Sequence, residues 1–246
     1  WILTERCNLN CHYCLQGRDT RREPVGAVDC WVLPRASRPA LIHLSGGEPF
    51  LVPNLIGLCR EIVGKGYWVS LNTNLTLSPA RFAEEVPSER FLFVHASYHY
   101  PYRGEHLRPF VRNCDMLRER EFFVFATTVM MPDTFGEQVA LARRMQGEGV
   151  LFLPKLMRGR ERGVDYPQGY TTRQWEQMRE LAEEGIARLD AAQRERFALV
   201  CDHTVSIDNW MRFGQPRPTR AGHRLVRITE RGDILDPEGN PTTLDL

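Results

Sequence analysis

Three thiols share one short stretch, Cys7-Asn8-Leu9-Asn10-Cys11-His12-Tyr13-Cys14, in the spacing C-x3-C-x2-C. Cysteines this close together are placed to hold one metal centre, and soft thiolates favour iron–sulfur clusters or zinc. A 4Fe–4S cluster normally takes four protein thiolates, so three leave one iron open to another ligand. The alternative is a zinc site with His12 completing a Cys3His set. Structural zinc loops usually pair two ligand dyads across a longer gap, and no second C-x2-C dyad follows in this chain. Cys59 and Cys114 fall in helix-like patterns and read as small buried apolar residues.

A second motif, Gly46-Gly47-Glu48-Pro49, is weak alone, because glycine pairs mark turns generally. Its position gives it weight: it follows the first strand-like run after the cysteine loop. The chain around both motifs alternates strand and helix patterns. Residues 1–3 read as the end of a buried strand that delivers the loop. Strands are expected over 40–45, 67–72, 91–97, 122–129 and 150–156, with helices over 52–65, 78–85, 105–120 and 135–147 between them. Ser78 fits a helix cap with Pro79 at the first helical position. Residues 15–38 read only as a connection, with a short helix over 27–33. About six strands alternating with helices imply a parallel sheet wrapped by helices.

Strand parity sorts the side chains. His43 and Ser45 share a face, as do Ser70, Asn72 and Asn74, and then His95, Ser97 and His99. The other face carries Ile42, Leu44, Val69, Leu71, Val94 and Ala96, which suit a cover of helices. Closed eight-stranded barrels fill their interiors with branched apolar side chains, so a polar inner set points to an open lumen that holds a ligand.

The composition suits one large domain, or a domain plus an extension. Of 246 residues, 42% are hydrophobic and 26% charged, as in ordinary globular proteins. A net charge of +1 argues against general nucleic-acid or membrane-surface binding. The clusters Arg18, Arg21, Arg22 and Arg158, Arg160, Arg162 read as solvated loops. Seven cysteines with three in one loop are no secreted disulfide framework, and no apolar run approaches transmembrane length, so the expected setting is the cytoplasm. The chain opens on Trp1 and enters the loop almost at once, so the natural N-terminus is expected upstream. Past residue 156, 157–169 reads as a linker or active-site loop. Thr171 and Gln174 then form a capping box ahead of a stripe of Trp175, Met178, Leu181, Ala182, Ile186 and Leu189. Short strands are expected near 204–207 and 224–229, with a hairpin turn at Arg231-Gly232-Asp233.

The cysteine order with Tyr13 before the last thiol, followed by Gly46-Gly47-Glu48-Pro49, resembles the radical S-adenosylmethionine (radical SAM) enzymes over 1–157. The resemblance implies an α/β fold, a partial (β/α)6 TIM-like barrel with a small C-terminal α+β extension, divided as core 1–157 and extension 158–246. It implies a 4Fe–4S cluster on Cys7, Cys11 and Cys14, with the open iron chelating S-adenosylmethionine. The backbone at Tyr13 would touch the adenine. Ser45 to Pro49 would carry the methionine end, the glycines allowing close approach and Glu48 supplying a carboxylate. Ser97 matches the residue that touches the ribose or methionine carboxylate. Asn72, Asn74, His99, Thr127 and Lys155 would line the same cavity, with His99 alternatively meeting substrate as a proton donor or acceptor.

The implied chemistry is one-electron cleavage of S-adenosylmethionine to a 5′-deoxyadenosyl radical that takes hydrogen from a substrate. An electron donor such as flavodoxin or ferredoxin would be a partner. A peptide or protein substrate is favoured slightly over a small metabolite, because residues 221–234 loosely resemble the SPASM or twitch extension. No cysteine follows Cys201, so no auxiliary cluster is expected there. The rival readings are a noncatalytic zinc or iron–sulfur module and a partner-binding scaffold.

Overall fold

The computed structural model of the protein describes residues 1–14, 25–29, 33, 40–100, 106–203, 227–229, 233–235 and 241. Five parallel strands run in the order of the chain: β1 (Leu41–Leu44), β2 (Trp68–Thr73), β3 (Phe91–Ser97), β4 (Val124–Val129) and β5 (Leu151–Lys155). Between them lie α1 (Leu55–Gly64), α2 (Ala80–Glu85), α3 (Leu107–Arg118) and α4 (Phe135–Gly147). The first stub joins the β1 edge through a parallel bridge of Ile2 to Ser45, with Leu3 N–H donating to Ser45 O at 2.8 Å and Ser45 N–H to Trp1 O at 2.8 Å. The α/β class and parallel sheet are as the sequence implies, and among the described residues the sheet stays open.

The two faces differ as parity requires. On the outer face Leu44, Val69, Leu71, Val94 and Ala96 are buried with Leu58, Ile62, Phe110, Leu117 and Met145 of the helices. At 0% exposure for most of these, each large side chain contributes about 1.5–3 kcal/mol of burial. A register shift between Val69 and Ser70 lets Phe91 join this outer cluster while Phe93 turns inward. The inner face has two levels. Near the strand starts, Phe93, Phe125, Leu151 and Leu153 pack with Ala182 and Phe197 of the C-terminal helices and with Leu189 between them. Near the strand ends the side chains are polar.

Beyond β5, within the stretch 157–169 that reads in sequence as a linker or active-site loop, residues 159–166 form a hairpin. Strands β6 (Gly159–Glu161) and β7 (Val164–Tyr166) pair antiparallel around Arg162 and Gly163, at φ +48° and +82°. Positive φ at both central residues of a two-residue loop is the type I′ turn that matches strand twist. The alternation was too short to see in sequence, and Gly163 was its one signal. Helix α5 (Thr172–Ala187) begins with the expected capping box: Gln174 N–H donates to Thr171 Oγ1 at 3.3 Å, and Thr171 N–H to Gln174 Oε1 at 2.9 Å. Its stripe is buried through Met178, Leu181 and Ala182.

Helix α6 (Ala191–His203) follows, and β8 (Arg227–Ile228) pairs with β9 (Ile234–Leu235). Ile228 is buried, and its carbonyl accepts from Ile2 N–H at 2.9 Å, so this pair docks on the stub that leads into the cysteine loop. The turn at residues 231–232, the piece at 204–207, the Arg18, Arg21 and Arg22 cluster and most of the 221–234 resemblance lie outside the described residues. Val25–Asp29 have no regular structure, against the short helix expected from 27; Val28 N–H instead donates to Asn54 Oδ1 at 2.9 Å. Helix α2 starts one position later than expected, with Pro79 as its cap residue. Among the described residues, no helix is long and apolar enough to cross a membrane.

Candidate active site

The cysteine loop lies over the C-terminal end of the inner face, and two backbone hydrogen bonds fix it there. Gly47 N–H donates to Thr4 O and Glu48 N–H to Arg6 O, each at 2.7 Å. Residues 4–6 and 46–48 therefore run together up to the residue before Cys7. This pairing explains the glycines. A Cβ on Gly46 would stand 2.4 Å from Thr4 O, and one on Gly47 only 1.9 Å from Arg6 O. The sequence reading gave these glycines to the approach of a ligand; here their missing side chains make room for the strand that delivers the thiols.

Glu48 is 1% exposed, which excludes a solvated surface role. Its Oε1 accepts from Phe50 N–H at 3.0 Å and Thr73 Oγ1–H at 2.7 Å, and its Oε2 accepts from Asn74 N–H at 2.7 Å. A buried carboxylate holding three donors locks the turn, opened by buried Pro49, to the end of β2. Asn74 continues the chain of bonds: its amide donates to Asn8 Oδ1 at 2.8 Å and faces Cys7 Sγ at 3.7 Å. Thr73 and Asn8 escaped the sequence reading, since nothing local marks a carboxylate clasp closed by a residue 25 positions away.

Inside the sheet, the predicted polar set is brought together. His43 Nδ1 meets Ser70 Oγ at 2.7 Å. His95 bridges two strands, with Nδ1 at 2.8 Å from Asn72 Oδ1 and Nε2 at 2.7 Å from Thr127 Oγ1. An amide oxygen only accepts, so Nδ1–H donates to Asn72, and in the neutral imidazole Nε2 then accepts from Thr127 Oγ1–H. Burial holds His95 neutral well below the usual histidine range, with Lys155, His43 and His99 pushing the same way. Burial likewise takes His43 down to about 3. Lys155, at the end of β5, is lowered by burial and by Arg158, while Cys14 favours its charge. Ser97 is half-buried and paired with Thr127 in the sheet, and its hydroxyl makes no hydrogen bond to a described residue. His95 and His99 stand in H-x3-H spacing, yet both nitrogens of His95 are engaged within the sheet and only His99 reaches the loop.

His43 and His95 set a pH dependence. In the unfolded chain they ionise near 6.5, so below that pH the unfolded state binds more protons than the folded one. The stability gained by keeping them neutral is full above about 6.5 and falls toward pH 3, by about 1.4 kcal/mol per pH unit for each group. We expect the urea midpoint to drop between pH 6.5 and 5, with a slope about one proton shallower in His43→Gln. An unchanged slope in that variant would mean that His43 titrates normally in the folded protein.

The loop itself turns at Cys11–Cys14, with Cys14 N–H donating to Cys11 O at 3.1 Å. Cys7 and Cys14 are exposed and Cys11 is buried. His99 joins the end of β3 to the loop: its Nδ1 is 3.4 Å from Cys11 Sγ and 3.2 Å from Tyr13 Oη, and its ring stacks on Tyr13. The β6–β7 hairpin reaches the loop from the other side, with Glu161 3.7 Å from His12 Nε2, and is tied at its tip by Arg162 to Asp133 at 2.7 Å. Those exposed pairs contribute little stability. Among the described residues no three His, Cys, Asp or Glu side chains gather closely enough to hold one metal ion. A 4Fe–4S cubane asks for a different arrangement, with each thiolate on its own iron. Three thiols on one loop, none in a disulfide, two of them exposed and one of these, Cys7, met by two N–H donors, fit that group.

Sequence relatives match short stretches. The chain is 37% identical over 93 residues to the AdoMet-dependent heme synthase of Methanosarcina barkeri and 35% identical over 80 residues to the probable GTP 3′,8-cyclase of Methanothermobacter thermautotrophicus. These matches cover 35% and 30% of this chain, and the chain spans about a quarter, 26%, of each relative. Among solved structures, native anSMEcpe with bound AdoMet and Cp18Cys peptide aligns with a TM-score of 0.58 at 16% identity, covering 95% of this chain and 71% of that one. Streptococcus suis SuiB bound to S-adenosylmethionine aligns with a TM-score of 0.59 at 12% identity, covering 95% and 56%. At such identities the likeness is one of fold. The model of the Radical SAM superfamily matches residues 1–145, which hold the cysteine loop, the Gly46–Pro49 turn and strands β1 to β4. The chain therefore belongs to the radical SAM superfamily, whose members are enzymes that use a 4Fe–4S cluster and S-adenosylmethionine.

Proposed function

We propose that the protein is a radical SAM enzyme that reductively cleaves S-adenosylmethionine and takes a hydrogen atom from a peptide or protein substrate. The observation that carries this reading is the three-thiol loop held over the polar end of a parallel sheet by the Gly47–Thr4 and Glu48–Arg6 pairing. When bound, the cluster and S-adenosylmethionine supply the hydrogen-abstracting radical. The chain's own residues hold and shield. Cys7, Cys11 and Cys14 are the cluster ligands, and Glu48 fixes the turn beside them. His43 and His95, both held neutral by burial, stand on the inner face of the sheet with Ser70, Asn72 and Thr127 as their partners. Lys155 ends β5, and Ser97 ends β3 with an uncommitted hydroxyl. Tyr13 and Ser45 are assigned to the same S-adenosylmethionine site. We take residues 158–246 as the extension that shapes the substrate side.

Two fold neighbours favour a peptide: anSMEcpe holds a Cp18Cys peptide, and SuiB was captured with its precursor peptide SuiA. The names of the sequence relatives, a heme synthase and a probable GTP cyclase, favour a second reading in which the substrate is a small metabolite. Anaerobic reconstitution with iron and sulfide, followed by reduction in the presence of S-adenosylmethionine, tests the activity. 5′-Deoxyadenosine should form; a loaded cluster that yields none would leave a noncatalytic iron–sulfur module. In the same preparation, Ser97→Ala should weaken S-adenosylmethionine binding by about 0.5–1.5 kcal/mol, the usual worth of one neutral hydrogen bond. Calorimetric titration checks this against Val94→Ala on the outer face. Loss of affinity in Val94→Ala alone would reverse the assignment of faces.

A further inference from the structure

The three thiols meet unequal surroundings. Cys7 Sγ accepts from Leu9 N–H at 3.4 Å and faces the Asn74 amide at 3.7 Å. The orientation of that amide is set by its other bonds, because Asn74 Oδ1 accepts from Thr76 N–H at 2.9 Å and from Thr76 Oγ1–H at 2.6 Å, so the NH2 group points at sulfur. Cys11 Sγ lies 3.4 Å from His99 Nδ1. A thiolate bound to iron has no hydrogen and can only accept, so with the cluster in place Nδ1 must carry the proton and donate it to Cys11. Tyr13 Oη, 3.2 Å from the same nitrogen, then accepts a share of that hydrogen. Two donors thus arrive from the ends of neighbouring strands, β2 and β3, each on a different thiolate.

From this geometry we infer that Asn74 and His99 are positioning residues that set the reduction potential of the cluster by donating hydrogen bonds to Cys7 and Cys11. The inference rests on the cluster reading above. Reduction adds negative charge to the iron–sulfur–thiolate unit, and a hydrogen bond to sulfur stabilises the more negative form, which raises the potential. Neither residue has to touch substrate to act in this way. A sequence motif would not reveal them, because both lie just beyond strand ends where polar residues are common.

Redox titration of the reconstituted protein, followed by electron paramagnetic resonance with iron content measured alongside, tests the inference. His99→Phe keeps a ring against Tyr13 but removes the donor, and should lower the reduction equilibrium constant about tenfold, or about 59 mV for one electron. His99→Gln restores an N–H donor and should return most of that loss. Asn74→Ala should shift the potential in the same direction, and Gly57→Ala, within α1 and with open space for the methyl, should leave it in place. Wild-type potential in both His99→Phe and Asn74→Ala at full iron content would overturn the inference. So would loss of iron from His99→Phe and His99→Gln alike, which would make His99 a support of the loop and no tuner of the cluster. Wild-type protein that assembles no cluster would overturn the proposed function first, and this inference with it.

Discussion

Replacing Cys7, Cys11 and Cys14 together by alanine should leave a folded protein that binds no iron. None of the three cysteines belongs to either hydrophobic cluster, and Cys7 and Cys14 are exposed, so the truncations remove little buried surface. Cys11 is the exception at 6% exposure, and its small thiol costs far less than a core leucine. The far-ultraviolet circular dichroism of the triple variant should match wild type. Reconstituted wild type should take up about four irons per chain with the broad visible absorbance of a cluster, and the variant none. Formation of 5′-deoxyadenosine should disappear with the absorbance. A cluster retained in the variant would remove the assignment, and about eight irons in wild type would show a second cluster. A colourless wild type holding one zinc would restore the Cys3His alternative with His12.

The parts of this site that were legible in sequence share a property: each is written in local spacing. The thiols fall in one loop, so their type and interval suffice. The faces of β1, β2 and β3 follow from a period of two, and His43, Ser70, Asn72 and His95 meet as that period requires. What stayed hidden depends on pairs far apart in the chain. Glu48 sits in a recognisable motif, but its partners Thr73 and Asn74 belong to the next strand. Phe93 and Phe125 fill the lower half of the inner face, since they share the parity of His95 and Thr127, but their packing on Ala182 and Phe197 of the distant C-terminal helices was hidden. The β6–β7 hairpin has three-residue strands, too short for an alternation to stand out from the polar run in which it lies. Its anchor is equally non-local: Tyr170 Oη–H donates to Met130 O at 2.6 Å and accepts from Met157 N–H at 2.8 Å, tying the ends of β4 and β5 together.

Gly47→Ala should cost nearly as much function as losing the thiols, without touching one of them. The added methyl would sit 1.9 Å from Arg6 O and 2.2 Å from Arg6 C, both backbone atoms, so no side-chain rotation relieves the contact. Residues 4–6 must move away, which breaks the Gly47–Thr4 and Glu48–Arg6 hydrogen bonds and displaces the residue that hands over to Cys7. Overpacking of this kind costs about 1–3 kcal/mol, and two lost hydrogen bonds add about 0.5–1.5 kcal/mol each. The apo protein should therefore unfold at clearly lower urea, and iron uptake should fall well below one cluster per chain. Gly57→Ala is the matched comparison, since a methyl there meets nothing within 4 Å and lies within α1. Alanine is the better helix former by about 0.8–1 kcal/mol, so Gly57→Ala should raise the midpoint and leave iron content unchanged. If Gly47→Ala instead loads a full cluster at wild-type stability, then the backbone pairing does not hold the loop, and the glycines must be explained by what binds above them.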